Sequence, residues 1–286
     1  MSSLSNYAEV PATAGRKIVT SSLYLVGFAA CTLLAARYAD SQSRWAELLT
    51  AECGAALGIL WVFTFSMGPA NNERIRPLIY AGILADLVFN FLAAQMFHRL
   101  HLHESHVHFA YGNLPADVMM GLGNLGMLTA AIGVGLLVAR GLQKPNYLLM
   151  ACVVGGVTDI FNIFVGPGKN EINSKIFPYI TFQWGITGYG GLSPLVGTGD
   201  FVFLALYFFG VRKFGLDDRK TLLAMILAVG LGFVSAIYFK TAIPALPFFA
   251  VALFLVHGRD LWRQFLETRA RDLVLLDHAV PPISNP

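Results

Sequence analysis

Two aspartates lie inside apolar runs long enough to cross a membrane. Asp159 is set in LLMACVVGGVTDIFNIFVG, and Asp200 opens DFVFLALYFFG. An ionised carboxylate at such depth costs several kcal/mol unless it is protonated, paired or wetted, so its default reading is functional. The chemistry open to two such groups is hydrolysis. Carboxyls about 3 Å apart cannot both ionise, so one keeps its proton while the other stays charged near neutral pH. The charged member can draw a proton from water, and the protonated member can give one to a peptide carbonyl. The two titrate as a pair rather than singly. This scheme calls for no metal and no cofactor, and implies no covalent intermediate.

The flanking residues suit that work. In Gly197-Thr198-Gly199-Asp200 the glycines clear side-chain bulk from beside the carboxyl and let a second backbone come close. Gly166-Pro167-Gly168 stops the Asp159 segment soon after the acid. Ile243-Pro244-Ala245-Leu246-Pro247 carries two prolines that leave carbonyls without helical partners. Broken backbone of this kind is tolerated in a membrane only beside water or protein. It also offers main-chain groups to an extended substrate strand. Asn162 lies one helical turn beyond Asp159 and shares its face.

Eight segments must position these residues, at about 18–36, 48–68, 77–97, 117–139, 147–166, 195–211, 221–239 and 243–257. Most reach the roughly 20 residues that a crossing helix needs. The sixth and eighth are short, as helices that stop inside the membrane at a site tend to be. The stretch 175–192 is apolar and aromatic, but Pro178 and the glycines from Gly185 onward break it. It reads as an interfacial or re-entrant loop, and a ninth span there would reverse the sides of everything downstream. On the eight-span reading, 14 of the 20 Lys and Arg fall on the side of the N-terminus, which is therefore cytoplasmic. Asp159 then sits about 10 Å from the outer end of its span and Asp200 about 8 Å from the outer end of the next. The Pro-Ala-Leu turn begins the last span at the same end.

The composition agrees. The chain is 56% hydrophobic and 13% charged with a mean hydropathy of +0.60, whereas a soluble domain carries about 25% charged residues. The fold class is an all-α, multi-pass transmembrane bundle in contact with membrane lipids. Residues 1–145 hold four N-terminal spans, 146–258 the acid-bearing spans, and 259–286 an amphipathic tail for the cytoplasmic surface. The first apolar run follows Arg16 and Lys17 without a small-residue cleavage site and reads as an anchor. Cys31, Cys53 and Cys152 read as small buried side chains rather than a disulfide framework. The scattered net charge of +3 gives no nucleic-acid surface.

These motifs resemble the intramembrane aspartyl proteases of the presenilin and signal peptide peptidase group. That family carries one catalytic Asp in a Tyr-Asp pair, a second in Gly-x-Gly-Asp, and a Pro-Ala-Leu turn near its last helix. The second motif matches at Gly197-Thr198-Gly199-Asp200, and the third at Pro244-Ala245-Leu246. The first matches at Asp159, with Thr158 where the family has tyrosine. The resemblance covers residues 145–257 and implies Asp159 and Asp200 as the catalytic pair. It implies Thr158, Gly197, Thr198, Gly199, Pro244, Ala245 and Leu246 as residues shaping the site, to which the spacing from Asp159 adds Asn162, and transmembrane helices as substrates. The family has nine helices, against eight read here. Prepilin peptidases share Gly-x-Gly-Asp, but they lack Pro-Ala-Leu and carry Lys where this chain has Val202.

Other polar residues have plainer readings. Asp86, with Asn90 one turn on, suits a polar contact between helices. Glu52 reads as structural near an interface, and Asp117 as a cap on the fourth span. The histidine run from His98 to His108 reads as a polar loop at the membrane edge, with zinc binding or pH sensing as its functional alternative. Gln183 and Trp184 are placed beside the substrate path. Two rivals to proteolysis stand: a proton-coupled transporter, which also pairs acids with broken helices, and a non-catalytic presenilin-like protein, which Thr158 keeps open.

Overall fold

The computed structural model describes residues 12–38, 43–66, 72–99, 109–110, 114–165, 181–187, 191–239 and 243–279. The histidine run, Gly166-Pro167-Gly168 and the stretch 166–180 lie outside the described residues, at least in their side chains. Eight helices are described: α1 (Ala12–Arg37), α2 (Arg44–Phe65), α3 (Asn72–Arg99), α4 (Leu114–Ala139), α5 (Pro145–Phe164), α6 (Thr198–Lys213), α7 (Asp218–Phe239) and α8 (Leu246–Ala279). Each falls on one of the eight expected spans. Six of them, α1 to α5 and α7, are long and apolar enough to cross a membrane. The chain is a multi-pass integral membrane protein. Its outward helix faces agree, since Val153, Val154, Val157 and Phe161 of α5 and Leu223, Leu227 and Leu231 of α7 are all exposed. Exposed apolar faces of that extent need hydrocarbon to cover them.

The helices approach through glycine. A Cβ on Gly82 of α3 would lie 2.5 Å from the Ala130 nitrogen of α4, and one on Gly126 of α4 would lie 2.6 Å from the Asp86 nitrogen. The two backbones therefore touch, as small residues allow in membranes. Asp86 accepts a 2.7 Å hydrogen bond from Asn90 Nδ2 on its own helix. The polar contact expected between helices is thus made within one, with the Asn90 amide lying over Gly123 of α4. Glu52 lies inside α2, and its carboxyl lies against Gly230, midway along α7. Asp117 is in the first turn of α4, as a capping acid would be, but its Oδ1 has no partner among the described residues. Of the cysteines, Cys31 and Cys152 are buried and Cys53 is exposed.

The addition to the helical plan is a three-stranded antiparallel sheet. Its strands β1 (Phe109–Ala110), β2 (Thr181–Gly185) and β3 (Gly191–Gly197) lie in the order β1-β3-β2. The stretch expected as a re-entrant loop therefore contains a strand, and every residue of β2 is buried. A strand in a membrane must satisfy its outer edge as well. The side-chain amide of Asn124 on α4 does this for β2. Asn124 Nδ2 donates to the Gln183 carbonyl at 2.6 Å, and the Gln183 N–H donates to Asn124 Oδ1 at 3.0 Å. One amide thus plays the part of a neighbouring strand. Just beyond β2, the Thr187 N–H donates to Thr50 Oγ1 of α2 at 3.3 Å.

The strand is held by aromatic packing. Trp184 meets Phe28 edge-on at 5.3 Å and Tyr24 at 5.7 Å, and Phe182 meets Phe201 at 5.3 Å. Gly54 and Gly185 give the strand room against α1 and α2, since a Cβ on either would lie within 3 Å of Trp184 or of the α1 backbone. Gln183 and Trp184 are core residues here, so they do not line a path for substrate.

At the opposite end, Arg212 joins three helices. Its guanidinium pairs with Asp218 at 3.1 Å, donates to Ser66 Oγ and the Phe63 carbonyl, and lies over the Phe63 ring. Helix α8 continues unbroken through the boundary expected at residue 258. At 1.5 Å per residue a helix of 34 residues outruns the roughly 30 Å hydrocarbon core.

Candidate active site

Both aspartates are fixed by main-chain donors at helix N-termini. Asp200 is the third residue of α6, and the Gly197 N–H donates to its Oδ2 at 3.1 Å. It is therefore at the start of the helix and not five residues in, because β3 occupies the chain up to Gly197. Asp159 lies in the penultimate turn of α5, and there the Leu246 N–H donates to its Oδ2 at 3.0 Å. Leu246 is the first residue of α8. The leading N–H groups of a helix have no partner inside it. At this end Ala245 O accepts from Phe248 and Phe249, Pro247 has no N–H, and the Leu246 N–H goes to Asp159. A carboxylate at a helix N-terminus also meets the positive end of the dipole.

The Pro-Ala-Leu segment and the first aspartate are thus joined directly. Pro244 and Leu246 are buried and Ala245 half-buried. Two glycines lie alongside. A Cβ on Gly156 would make ordinary contact, 3.5 Å, with the Pro247 Cα, and one on Gly155 would lie 2.7 Å from the Phe203 ring of α6. Gly155 and Gly156 stand one turn before Asp159, and one faces each of the other two motifs. Sequence reasoning passed over this pair, although a Gly-Gly one turn before a membrane acid is a legible mark of close helix approach.

The register of α5 against α6 follows from side-chain contacts. Leu148 packs on Gly210, and Gly155 packs on Phe203. Between them the Cys152 thiol meets the Tyr207 hydroxyl. As the numbers rise on α5 they fall on α6, so the helices are antiparallel. Continued one turn, the ladder brings Asp159 level with Asp200.

Around the pair, Asp159, Asn162, Gly197, Thr198 and Asp200 are half-buried and Gly199 is exposed. Among the described residues, a Cβ on Gly199 would meet nothing within 4 Å. Phe201 turns the other way. It is fully buried on Phe182 and against Gly58 of α2, and it anchors the start of α6 in the core. Thr158 is not brought into the group. It is exposed on the outward face of α5, with Val154 and Phe161. The residue in the place of the family tyrosine therefore faces away from Asp200.

One further feature borders the site. The edge of β3 remote from β2 pairs with β1 at Gly191 and Leu192. From Ser193 to Gly197, next to Asp200, that edge has no partner strand among the described residues. Among the described residues, no three His, Cys, Asp or Glu side chains gather as a metal site.

No protein-family model, curated protein or solved structure matches this chain. Its own residues carry the functional argument.

Proposed function

We propose that this protein is an intramembrane aspartyl protease of the presenilin and signal peptide peptidase type, cutting transmembrane helices with Asp159 and Asp200. The observation that carries the reading is the bond from the Leu246 N–H to Asp159, which ties the Pro-Ala-Leu segment to the first acid. Support also comes from the α5–α6 ladder that brings the two acid-bearing helices together in antiparallel register.

In this scheme the ionised carboxylate removes a proton from a water molecule as its oxygen attacks the scissile carbonyl carbon. The other carboxyl gives its proton to the carbonyl oxygen, which forms a gem-diol. A proton then passes from the pair to the amide nitrogen while a hydroxyl of the gem-diol returns one to the pair, the C–N bond breaks, and a carboxylic acid and an amine leave. Each aspartate has one oxygen, Oδ2, held by a main-chain donor. The other oxygen is then available for water and peptide. A helix must unwind to be cut, and strand β3, which leads into Asp200, offers main-chain groups to the extended segment. Thr198, Asn162, Pro244 and Ala245 flank the two acids.

The test is cleavage of transmembrane peptides, in both orientations, by purified protein in lipid. Retained cleavage in Asp159→Asn or Asp200→Asn protein would sink the reading. A second reading, proton-coupled transport, is favoured by Glu52 and Asp86, two more acids inside the bundle on other helices. Proton uptake by sealed vesicles in the absence of any cleavage would select it.

A further inference from the structure

Helices α1 and α2 pack antiparallel, and their ladder of contacts ends in a pair of thiols. Thr20 Oγ1 lies 3.2 Å from Thr64 Oγ1. Two turns on, Leu57 covers Gly27 so closely that a Cβ there would clash with it. One turn further along α1, and one turn back along α2, the Cys31 and Cys53 thiols meet. The close approach at Gly27 is what lets two such short side chains touch. The third cysteine, Cys152, stands apart from them on α5, against Tyr207.

The two thiols differ in what can reach them. Cys31 is buried, whereas Cys53 is exposed. Cys53 continues the outward row of α2 that begins with Trp45 and Leu49, both exposed. It stands nine residues after Arg44, the start of α2, and Cys31 stands six before Arg37, the end of α1. At 1.5 Å per residue the pair is about 9–14 Å inside the spans, so whatever reaches Cys53 is dissolved among acyl chains. The pair also adjoins the buried strand. A Cβ on Gly185 would lie 3.0 Å from the Cys31 carbonyl oxygen, and Gly54, the residue after Cys53, carries the Trp184 ring. The thiols meet where α1 and α2 grip β2.

We propose that Cys31 and Cys53 are a redox pair, oxidised to a disulfide by an organic hydroperoxide in the lipid, and that the disulfide locks α1 to α2 beneath β2. The Cys53 sulfur attacks the outer peroxide oxygen and the O–O bond breaks. The sulfur becomes a sulfenic acid, and the thiol proton leaves with the other oxygen as an alcohol. The Cys31 sulfur then displaces the hydroxyl from Cys53, the S–S bond forms, and the hydroxyl leaves with the Cys31 proton as water. Two thiols are oxidised, and the hydroperoxide is reduced to an alcohol and water. The new bond removes freedom from the unfolded chain between the two residues. Strand β2 pairs with β3, and β3 leads into α6, so the bond restrains the strands that approach Asp200. Neither step involves Asp159 or Asp200.

The test treats the full chain in phospholipid vesicles with cumene hydroperoxide, blocks the remaining thiols, and digests the denatured protein with trypsin, which cuts after Arg37 and Arg44, between the two cysteines. The expected result is loss of two of the three thiols, with the Cys31 and Cys53 peptides joined until dithiothreitol parts them. Cys152→Ser protein should behave in the same way. In Cys31→Ser protein Cys53 should stop at the sulfenic acid, which dimedone labels, and in Cys53→Ser protein Cys31 should stay unlabelled. Amide hydrogen exchange at residues 181–185 should slow in the oxidised wild type and recover on reduction. Three free thiols after treatment, or links that join two molecules or include Cys152, overturn the proposal. Those results are read on the wild-type chain, so the answer does not depend on a variant folding. Unchanged exchange in the linked protein overturns the effect on β2.

Discussion

Leu246 and Asp159 are 87 residues apart in the chain, yet the N–H of one donates to the carboxylate of the other at 3.0 Å. This bond closes the helix that carries the first acid onto the helix that begins at the Pro-Ala-Leu turn. It also gives Asp159 two duties, capping α8 and offering a carboxyl level with Asp200.

The two duties separate in the amide variants. Asn keeps an oxygen that accepts the Leu246 N–H, but it cannot exchange a proton at neutral pH. Asp159→Asn and Asp200→Asn proteins are expected to keep wild-type helicity and unfolding temperature while cleavage falls by about a thousandfold or more. Circular dichroism alongside a peptide-cleavage assay checks both halves.

The donor can be removed with equal economy. Proline is well tolerated at the first position of a helix, where its missing N–H is not needed by the helix itself. Leu246→Pro therefore strips the bond to Asp159 and leaves α8 formed, whereas Leu246→Ala loses packing but retains the donor. Cleavage is expected to be lower in the proline variant than in the alanine variant. A hydrogen bond to a charged group is worth about 1.5–3 kcal/mol. Equal activities in the two proteins would mean that the bond does not matter to the site.

Gly155 and Gly156 are neighbours with different tolerances. A methyl group on Gly155 meets the Phe203 ring at 2.7 Å and must push α6 or turn the ring, while one on Gly156 meets Pro247 at an ordinary 3.5 Å. Gly155→Ala is expected to cost about 1–3 kcal/mol of stability, as overpacking does, and to lower activity by displacing α6 beside Asp200. Gly156→Ala should be close to neutral. Thermal unfolding in detergent ranks the two variants.

Asn124→Ala removes both bonds that its amide makes to the buried Gln183 main chain. A hydrogen bond lost from a buried polar group costs about 1–3 kcal/mol, so this single change is expected to lower the unfolding temperature more than any substitution on the lipid face. Asn124→Asp keeps the acceptor and loses the donor, and should fall between. The same unfolding measurement, together with amide hydrogen exchange at residues 181–185, tests the order.

Much of this architecture is legible in the sequence, for a simple reason. A helix in lipid must be apolar along its crossing, so α1 to α5 and α7 each stand out as a run between charges. The acids stand out against those runs for the same reason. What was hidden depends on distant partners. Pro178 and the glycines from Gly185 onward make the stretch that holds β2 look like a loop, because the Asn124 amide that closes its edge lies 59 residues away. The placement of Asp200 five residues into a span went wrong because an apolar strand, β3, leads into α6 without a polar break. The outward turn of Thr158 reflects the helical phase of α5, in which Gly155, Gly156 and Asp159 face inward and the residue just before the acid does not. Tyr207 reads as one more aromatic in FLALYFF until the register of α5 shows what lies across from it.

The buried hairpin has a consequence for biogenesis. A lone strand released into hydrocarbon would present bare amides to lipid, and those of β2 are answered by Asn124 on α4 and, just past its end, by Thr50 on α2. The receptacle must therefore be assembled before its occupant arrives. Helices α1, α2 and α4 have to be gathered in the bilayer while the segment from residue 181 waits in the aqueous phase or in the insertion machinery, so the order of synthesis, amino-terminal half first, is also the order that assembly in the membrane requires.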